Sequence, residues 1–172
     1  MTRGVIGIDP GLSGAAALYT GGALVTVMDL PTWTTTRGKK TARKLDVLGL
    51  QRILKRWADI VAIDQVFVEA VHTMPKQGIV SAGQFMEAFG AIQAVVLCVG
   101  LPLVLVDPGT WKNATGLGRD KKLALRRAAM TFPWAAEYFA RAMDHNRAEA
   151  ALLAAYGFTR LYGKGVDNAA AA

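Results

Sequence analysis

Val5-Ile6-Gly7-Ile8-Asp9-Pro10-Gly11-Leu12-Ser13-Gly14-Ala15-Ala16-Ala17-Leu18-Tyr19-Thr20-Gly21-Gly22-Ala23-Leu24-Val25-Thr26-Val27-Met28-Asp29-Leu30 is the stretch that decides the fold. Val5 to Ile8 is a short β-branched run that ends on an acid and a turn of proline and glycine. Ala15 to Tyr19 and Ala23 to Leu30 read as two more strands, and Thr20-Gly21-Gly22 between them is a tight hairpin signal. The chain thus begins strand, turn, strand, hairpin, strand.

Outward from there, Pro31 to Lys44 is rich in Thr, Lys and Arg without an apolar period, and reads as a mobile loop. Leu45 to Ala58 carries a helical stripe at Val47, Leu50, Ile53, Leu54 and Trp57. Val66 to Ala70 reads as a buried strand, Ser81 to Val99 as a long apolar helix, and Leu103 to Val106 as another strand ended by Asp107-Pro108-Gly109. Lys121 to Thr131 is helical and stops near Phe132-Pro133. A last helix is expected over Glu149 to Tyr156, closed by Gly157. The fold class is α/β: a mixed five-stranded sheet, three antiparallel strands then parallel ones, flanked by helices. That order resembles the ribonuclease H-like architecture. One domain is expected over 1–162, with 163–172 a flexible tail.

Composition narrows the function. The 172 residues are 52% hydrophobic, which places the chain among globular proteins and excludes disorder. Lys plus Arg number 20 against 13 Asp plus Glu, a net charge of +7, which favours a polyanionic partner. The longest apolar run, Ala94 to Val106, is broken by Gly100 and Pro102, so no membrane span is expected. The start has no signal-peptide layout, and a cytoplasmic protein of a bacterial cell or a phage-infected host is the expectation. The single cysteine, Cys98, excludes a disulfide framework and reads as a small buried hydrophobe.

Three acids sit where apolar segments begin or end. Asp9 closes the first strand, and Glu69 follows Val66-Phe67-Val68. Glu149 stands in Asp144-His145-Asn146-Arg147-Ala148-Glu149-Ala150. A carboxylate beside buried strands is costly unless a cation or hydrogen-bond donors compensate it. Mg²⁺ takes hard oxygen ligands. Two such ions roughly 3.5–4 Å apart can hold both the attacking and the leaving oxygen of a phosphoryl displacement. Asp9, Glu69 and Glu149, with Asp144 or His145, supply the converging groups. His145 shares a helical face with Glu149, whereas Asp144 is also placed to cap the helix, and the two compete as the further ligand.

These residues resemble the RuvC-type Holliday junction resolvases, particularly phage-like members. The resemblance is carried by Gly7-Ile8-Asp9-Pro10-Gly11, Val68-Glu69 and Arg147-Ala148-Glu149-Ala150. Pro75-Lys76-Gln77-Gly78 and Val106-Asp107-Pro108-Gly109-Thr110-Trp111-Lys112 are similar as well. It implies a metal-dependent endonuclease that works as a homodimer and cuts two strands of a four-way DNA junction symmetrically. Mg²⁺ is the implied cofactor, two ions per site with Mn²⁺ as substitute, and the implied ligands are Asp9, Glu69 and Glu149. The family's further ligand is an acid or histidine three or four residues before the last one; those places hold Asn146 and His145, with Asp144 one step earlier. No small-molecule substrate is expected.

Phosphate contacts are expected from Arg37, Lys39, Lys40, Arg43 and Lys44, and from Lys112, Arg119, Lys121, Lys122, Arg126 and Arg127. Arg147 reads either as a phosphate contact or as an ion-pair partner. The loop from Val71 to Val80, with His72, Met74, Lys76 and Gln77, is placed to enter the branch point. Met74 or Phe85 is the candidate wedge, although Phe85 and Phe89 also have core spacing, as do Trp33 and Trp57. The apolar helix at Ser81–Val99 is a candidate dimer face. Another ribonuclease H-like nuclease acting on forks, flaps or RNA, or a non-catalytic branched-DNA-binding protein, fits the same residues.

Overall fold

A computed structural model describes residues 2–38, 40–71, 78–118 and 121–163. Strand β1 (Arg3–Asp9) pairs antiparallel with β2 (Ala15–Thr20), and β2 with β3 (Ala23–Asp29). Gly21 and Gly22 turn the hairpin with φ of 58° and 83°, values that match the right-handed twist of the flanking strands. On its other edge β1 lies parallel to β6 (Ala62–Glu69), which lies parallel to β7 (Leu103–Val106). The sheet order is β3-β2-β1-β6-β7, the expected mixed five-stranded plan.

Alternation along β1 divides the core in two. Ile6 and Ile8 face α1 (Val47–Ile60) and α2 (Ile79–Cys98), together with Leu50, Leu54, Trp57, Phe89, Ile92 and Val96. Val5, Ala15, Ala17 and Phe67 face α3 (Pro108–Ala114), α4 (Lys121–Thr131) and α5 (His145–Tyr162). A 3₁₀ segment, Pro133–Phe139, follows α4.

Several expectations are corrected. The segment read as a mobile loop is a β-hairpin, β4 (Thr32–Arg37) with β5 (Lys40–Leu45), paired from Thr32↔Leu45 to Arg37↔Lys40. Threonine and tryptophan favour strands without any apolar alternation, and Gly38 turns the chain at φ 61°. Trp33 on β4 is half exposed instead of packed, whereas Trp57 is buried. Helix α1 starts after Asp46, whose Oδ1 accepts the Gly49 N–H at 2.9 Å. Gly157 does not close α5. The helix runs on to Tyr162 because a Cβ at Gly157 would lie 2.3 Å from the Phe67 ring, so the glycine marks a close approach to the sheet. Helix α2 has the length and apolarity of a membrane span, yet its inner face, Phe89, Ile92, Val95 and Val96, is packed into the core. Cys98 falls on its outer face and is exposed, contrary to expectation. The tail 164–172 lies outside the described residues.

Candidate active site

Asp9 and Glu69 are the last residues of two adjacent parallel strands, in register through Ile8↔Val68. They therefore emerge at the same end of the sheet. Glu149 arrives from the second turn of α5. That helix presses directly onto β1, because a Cβ on Gly7 would lie 2.4 Å from the Ala150 carbonyl oxygen and 2.5 Å from the Ala154 nitrogen. The result is convergence: one carboxylate oxygen from each of Asp9, Glu69 and Glu149 lies within 4.8 Å of the others.

Two neighbouring residues of α3 organise these acids. Asp107 caps that helix, its Oδ1 accepting from Gly109 N at 2.8 Å and Thr110 N at 3.2 Å. One turn on, the buried Trp111 donates its indole N–H to Glu69 Oε2 at 2.7 Å. Lys112 Nζ donates to Glu149 Oε2 at 2.8 Å and lies 3.4 Å from Glu69 Oε2. Burial pushes the Glu69 carboxyl above its ordinary range; the Lys112 charge opposes this and the Glu149 charge adds to it. Burial also works against the Lys112 ammonium, but its hydrogen bond to Glu149 and the charges of Glu149, Glu69 and Asp9 outweigh it, so Lys112 is held above its usual value. The sequence reading placed Lys112 among phosphate contacts and missed Trp111 as a partner of Glu69. The available signal was a tryptophan and a lysine one turn into a helix that starts at a strand end.

Three hard-oxygen donors that already attract one ammonium fit a divalent cation. Their combined negative charge exceeds what Lys112 alone neutralises.

Asp144 stands apart from this cluster. Its carboxylate is 2% exposed and accepts the Arg141 backbone N–H at 2.9 Å and the Arg141 guanidinium at 2.7 to 3.2 Å. The bond from Arg141 holds it below the usual carboxylate range. Its side chain does not cap α5, as the sequence reading allowed, because it reaches back to Arg141 instead. His145 lines a cleft with Asp9, Pro10, Gly11, Phe85 and Asn146, and its Nδ1 lies 3.3 Å from the Ala142 carbonyl. Asn146 donates to the Ser13 carbonyl oxygen, fixing the turn after β1. Arg147 makes two bonds of 2.6 Å to the exposed Asp29 carboxylate.

Among the expected DNA contacts, Arg43 donates to the Leu12 carbonyl and to Ser13 Oγ at 2.6 Å each, and Lys44 pairs with Glu87. Arg37 and Lys40 stand at the paired ends of β4 and β5, and Lys121 and Lys122 open α4. Lys39, His72, Met74, Lys76, Gln77 and Arg119 lie outside the described residues. Phe85 is half-buried, its ring 3.0 Å from where a Cβ on Gly11 would stand.

No protein-family model matches the sequence. No curated protein matches it either. Among solved structures, the chain is similar to Thermus thermophilus RuvC in complex with a Holliday junction substrate, with a TM-score of 0.58 and 15% identity over 94% of this chain and 97% of that one. A second Thermus thermophilus RuvC structure matches with a TM-score of 0.52 and 17% identity, over 92% and 96% of the two chains. This is the RuvC fold. On the RuvC fold of this chain, the acids cluster at the carboxyl ends of the two central parallel strands, beneath α3 and α5.

Proposed function

We propose that this chain is a divalent-metal-dependent endonuclease that resolves four-way DNA junctions by symmetric phosphodiester hydrolysis. The observation that carries the reading is the convergence of Asp9, Glu69 and Glu149 within 4.8 Å on three separate elements. The net charge of +7 and the likeness to a RuvC solved with a Holliday junction substrate support it.

Asp9, Glu69 and Glu149 hold the cation. His145 is the further ligand in preference to Asp144, because it lines the same cleft as Asp9 while the Asp144 carboxylate is taken up by Arg141. Mg²⁺ suits the donor set, with Mn²⁺ as substitute and two ions per site; when bound, they supply Lewis acidity toward the phosphate and its attacking water. Trp111 orients the Glu69 carboxylate, and Lys112 bridges Glu69 and Glu149, holding the two side chains side by side. Water has access because the cleft beside Asp9 is open. Two copies pair through the outer face of α2, where Ile79, Val80, Met86 and Leu97 are exposed. The enzyme acts in the cytoplasm.

A labelled immobile four-way junction, incubated with and without Mg²⁺ beside Glu69→Gln, tests this reading. Paired symmetric cuts are expected only with the ion, and Glu69→Gln is expected to bind without cutting. Absence of cutting under every divalent ion would establish a non-catalytic binding protein instead. Faster cutting of forks, flaps or RNA–DNA hybrids would place the substrate elsewhere. A monomer in sedimentation at high micromolar concentration removes the dimer.

A further inference from the structure

The geometry points to a nucleobase pocket between the β4–β5 hairpin and α2, in which Trp33 stacks an unpaired base of the DNA strand whose backbone lies at the acidic cluster. This rests on the nuclease reading of that cluster.

The groove has a volume of about 570 Å³ and is lined by Leu12, Trp33, Leu45, Gln84, Ala88 and Ala91, among others. At its rim Trp33, Val47 and Leu48 are 50%, 44% and 61% exposed. Large apolar side chains gathered around one concavity mark a binding surface. A base has apolar faces and polar edges, and the groove offers both kinds of surface. Trp33 and the leucines supply the apolar wall. Gln84 makes no side-chain hydrogen bond among the described residues, so its amide can both donate to and accept from a base edge. The two acids at the groove are engaged elsewhere: Asp46 caps α1 and Glu87 pairs with Lys44.

Charge favours a polyanionic occupant. Arg43 and Lys44 line the groove, and the whole chain carries a net charge of +7. Continuity selects the strand. Leu12 and Gln84 line both this groove and the cleft that contains Asp9, so the two share a wall. A strand with a phosphate in the cleft can run on past this shared wall into the groove that Trp33 lines. The platform is rigid as well. Trp33 pairs in register with Lys44, which is tied to α2, and the adjacent Arg43 grips the Leu12-Ser13 turn that follows Asp9. Stacking of a base on an aromatic ring tolerates any sequence, because every base has a π face.

The test measures binding without divalent ions to three probes: a single-stranded oligonucleotide, a four-way junction and a plain duplex. The first two carry 2-aminopurine at an unpaired or branch-point position. Trp33→Ala is expected to weaken the single strand and the junction about 5- to 100-fold, the effect of removing one base stack, and to leave the duplex unchanged. It is also expected to abolish the quenching of 2-aminopurine seen with the wild type, and Trp33→Phe is expected to restore most of both. Trp33 is half exposed, so the melting temperature of Trp33→Ala should match the wild type and exclude misfolding as the cause. Equal binding of all three probes by Trp33→Ala and wild type overturns the pocket, as does equal weakening of all three. Conversion of a dimer to a monomer by Trp33→Ala overturns it too, since a second copy of the chain then covers the groove. Quenching on the single strand without any wild-type preference for the junction supports the pocket and overturns junction resolution.

Discussion

Gly7→Ala should damage the active site from behind. The added Cβ would stand 2.4 Å from the Ala150 oxygen, 2.5 Å from the Ala154 nitrogen and 2.9 Å from the Ala154 Cα, all backbone atoms that no rotamer change can clear. In an interior packed to crystal density, α5 must then retreat from β1 by about 1 Å to restore ordinary contact. Overpacking of this kind costs about 1–3 kcal/mol, which for a chain of this size lowers the melting temperature by about 2–12 °C. The retreat is not neutral for chemistry. Glu149 directly precedes Ala150, so it moves away from Asp9 with the helix, and a displacement of about 1 Å costs on the order of 10²-fold in rate. Calorimetry together with single-turnover cleavage of a four-way junction in Mg²⁺ reads both quantities. Gly157→Ala is the control: its Cβ would strike the Phe67 ring at 2.3 Å, about two turns beyond Glu149, so it should lower the melting temperature with a smaller loss of rate. An unchanged melting temperature and an unchanged rate in Gly7→Ala would refute the claim that this glycine seats α5 and sets the Asp9–Glu149 spacing.

Trp111→Phe removes the donor to Glu69 and should cost about 1.5–3 kcal/mol, the range for a bond to a charged group, with weaker Mg²⁺ binding in isothermal titration. Lys112→Met should lower the melting temperature in EDTA, and added Mg²⁺ should recover more of it than in the wild type, because the ion then replaces an ammonium that is gone. Acid denaturation should report the Arg141–Asp144 pair. Asp144 is held below its unfolded range, so its contribution is present above about pH 3.9 and is lost as pH falls through the folded value. Circular dichroism between pH 5 and pH 2 should therefore show a shallower loss of stability in Asp144→Asn than in the wild type.

Much of this was legible before folding. The run from Val5 to Leu30 contains its own turns, so the antiparallel start followed from local signals, and Asp9 and Glu69 stood at visible strand ends. The residues that complete the cluster were hidden for a physical reason. Trp111 and Lys112 are about forty positions from both Glu69 and Glu149, and nothing local says that an indole N–H or an ammonium will turn toward those acids. Gly157 was misread because a helix-ending glycine and a glycine pressed against a ring look alike in one dimension. The hairpin at Thr32–Leu45 was missed because its strands are mostly Thr, Lys and Arg, with Trp33, Ala42 and Leu45 too few and too scattered to give an apolar alternation. That Arg141 would hold Asp144 from three residues upstream was likewise not singled out by spacing alone.

The hairpin joins the body through closely set feet. Asp46 N–H bonds to the Pro31 carbonyl at 2.8 Å, so the chain leaves and returns at nearly the same point. The turn end of the hairpin can lengthen, shorten or be exchanged without disturbing the five strands beneath, whereas Arg43, Lys44 and Leu45 tie its base to the Leu12-Ser13 turn, to α2 and to the core. On the nuclease reading proposed above, changes at that turn would retune which nucleic-acid shapes are gripped while the acidic cluster stays as it is, and an engineer could exchange the turn alone to the same end.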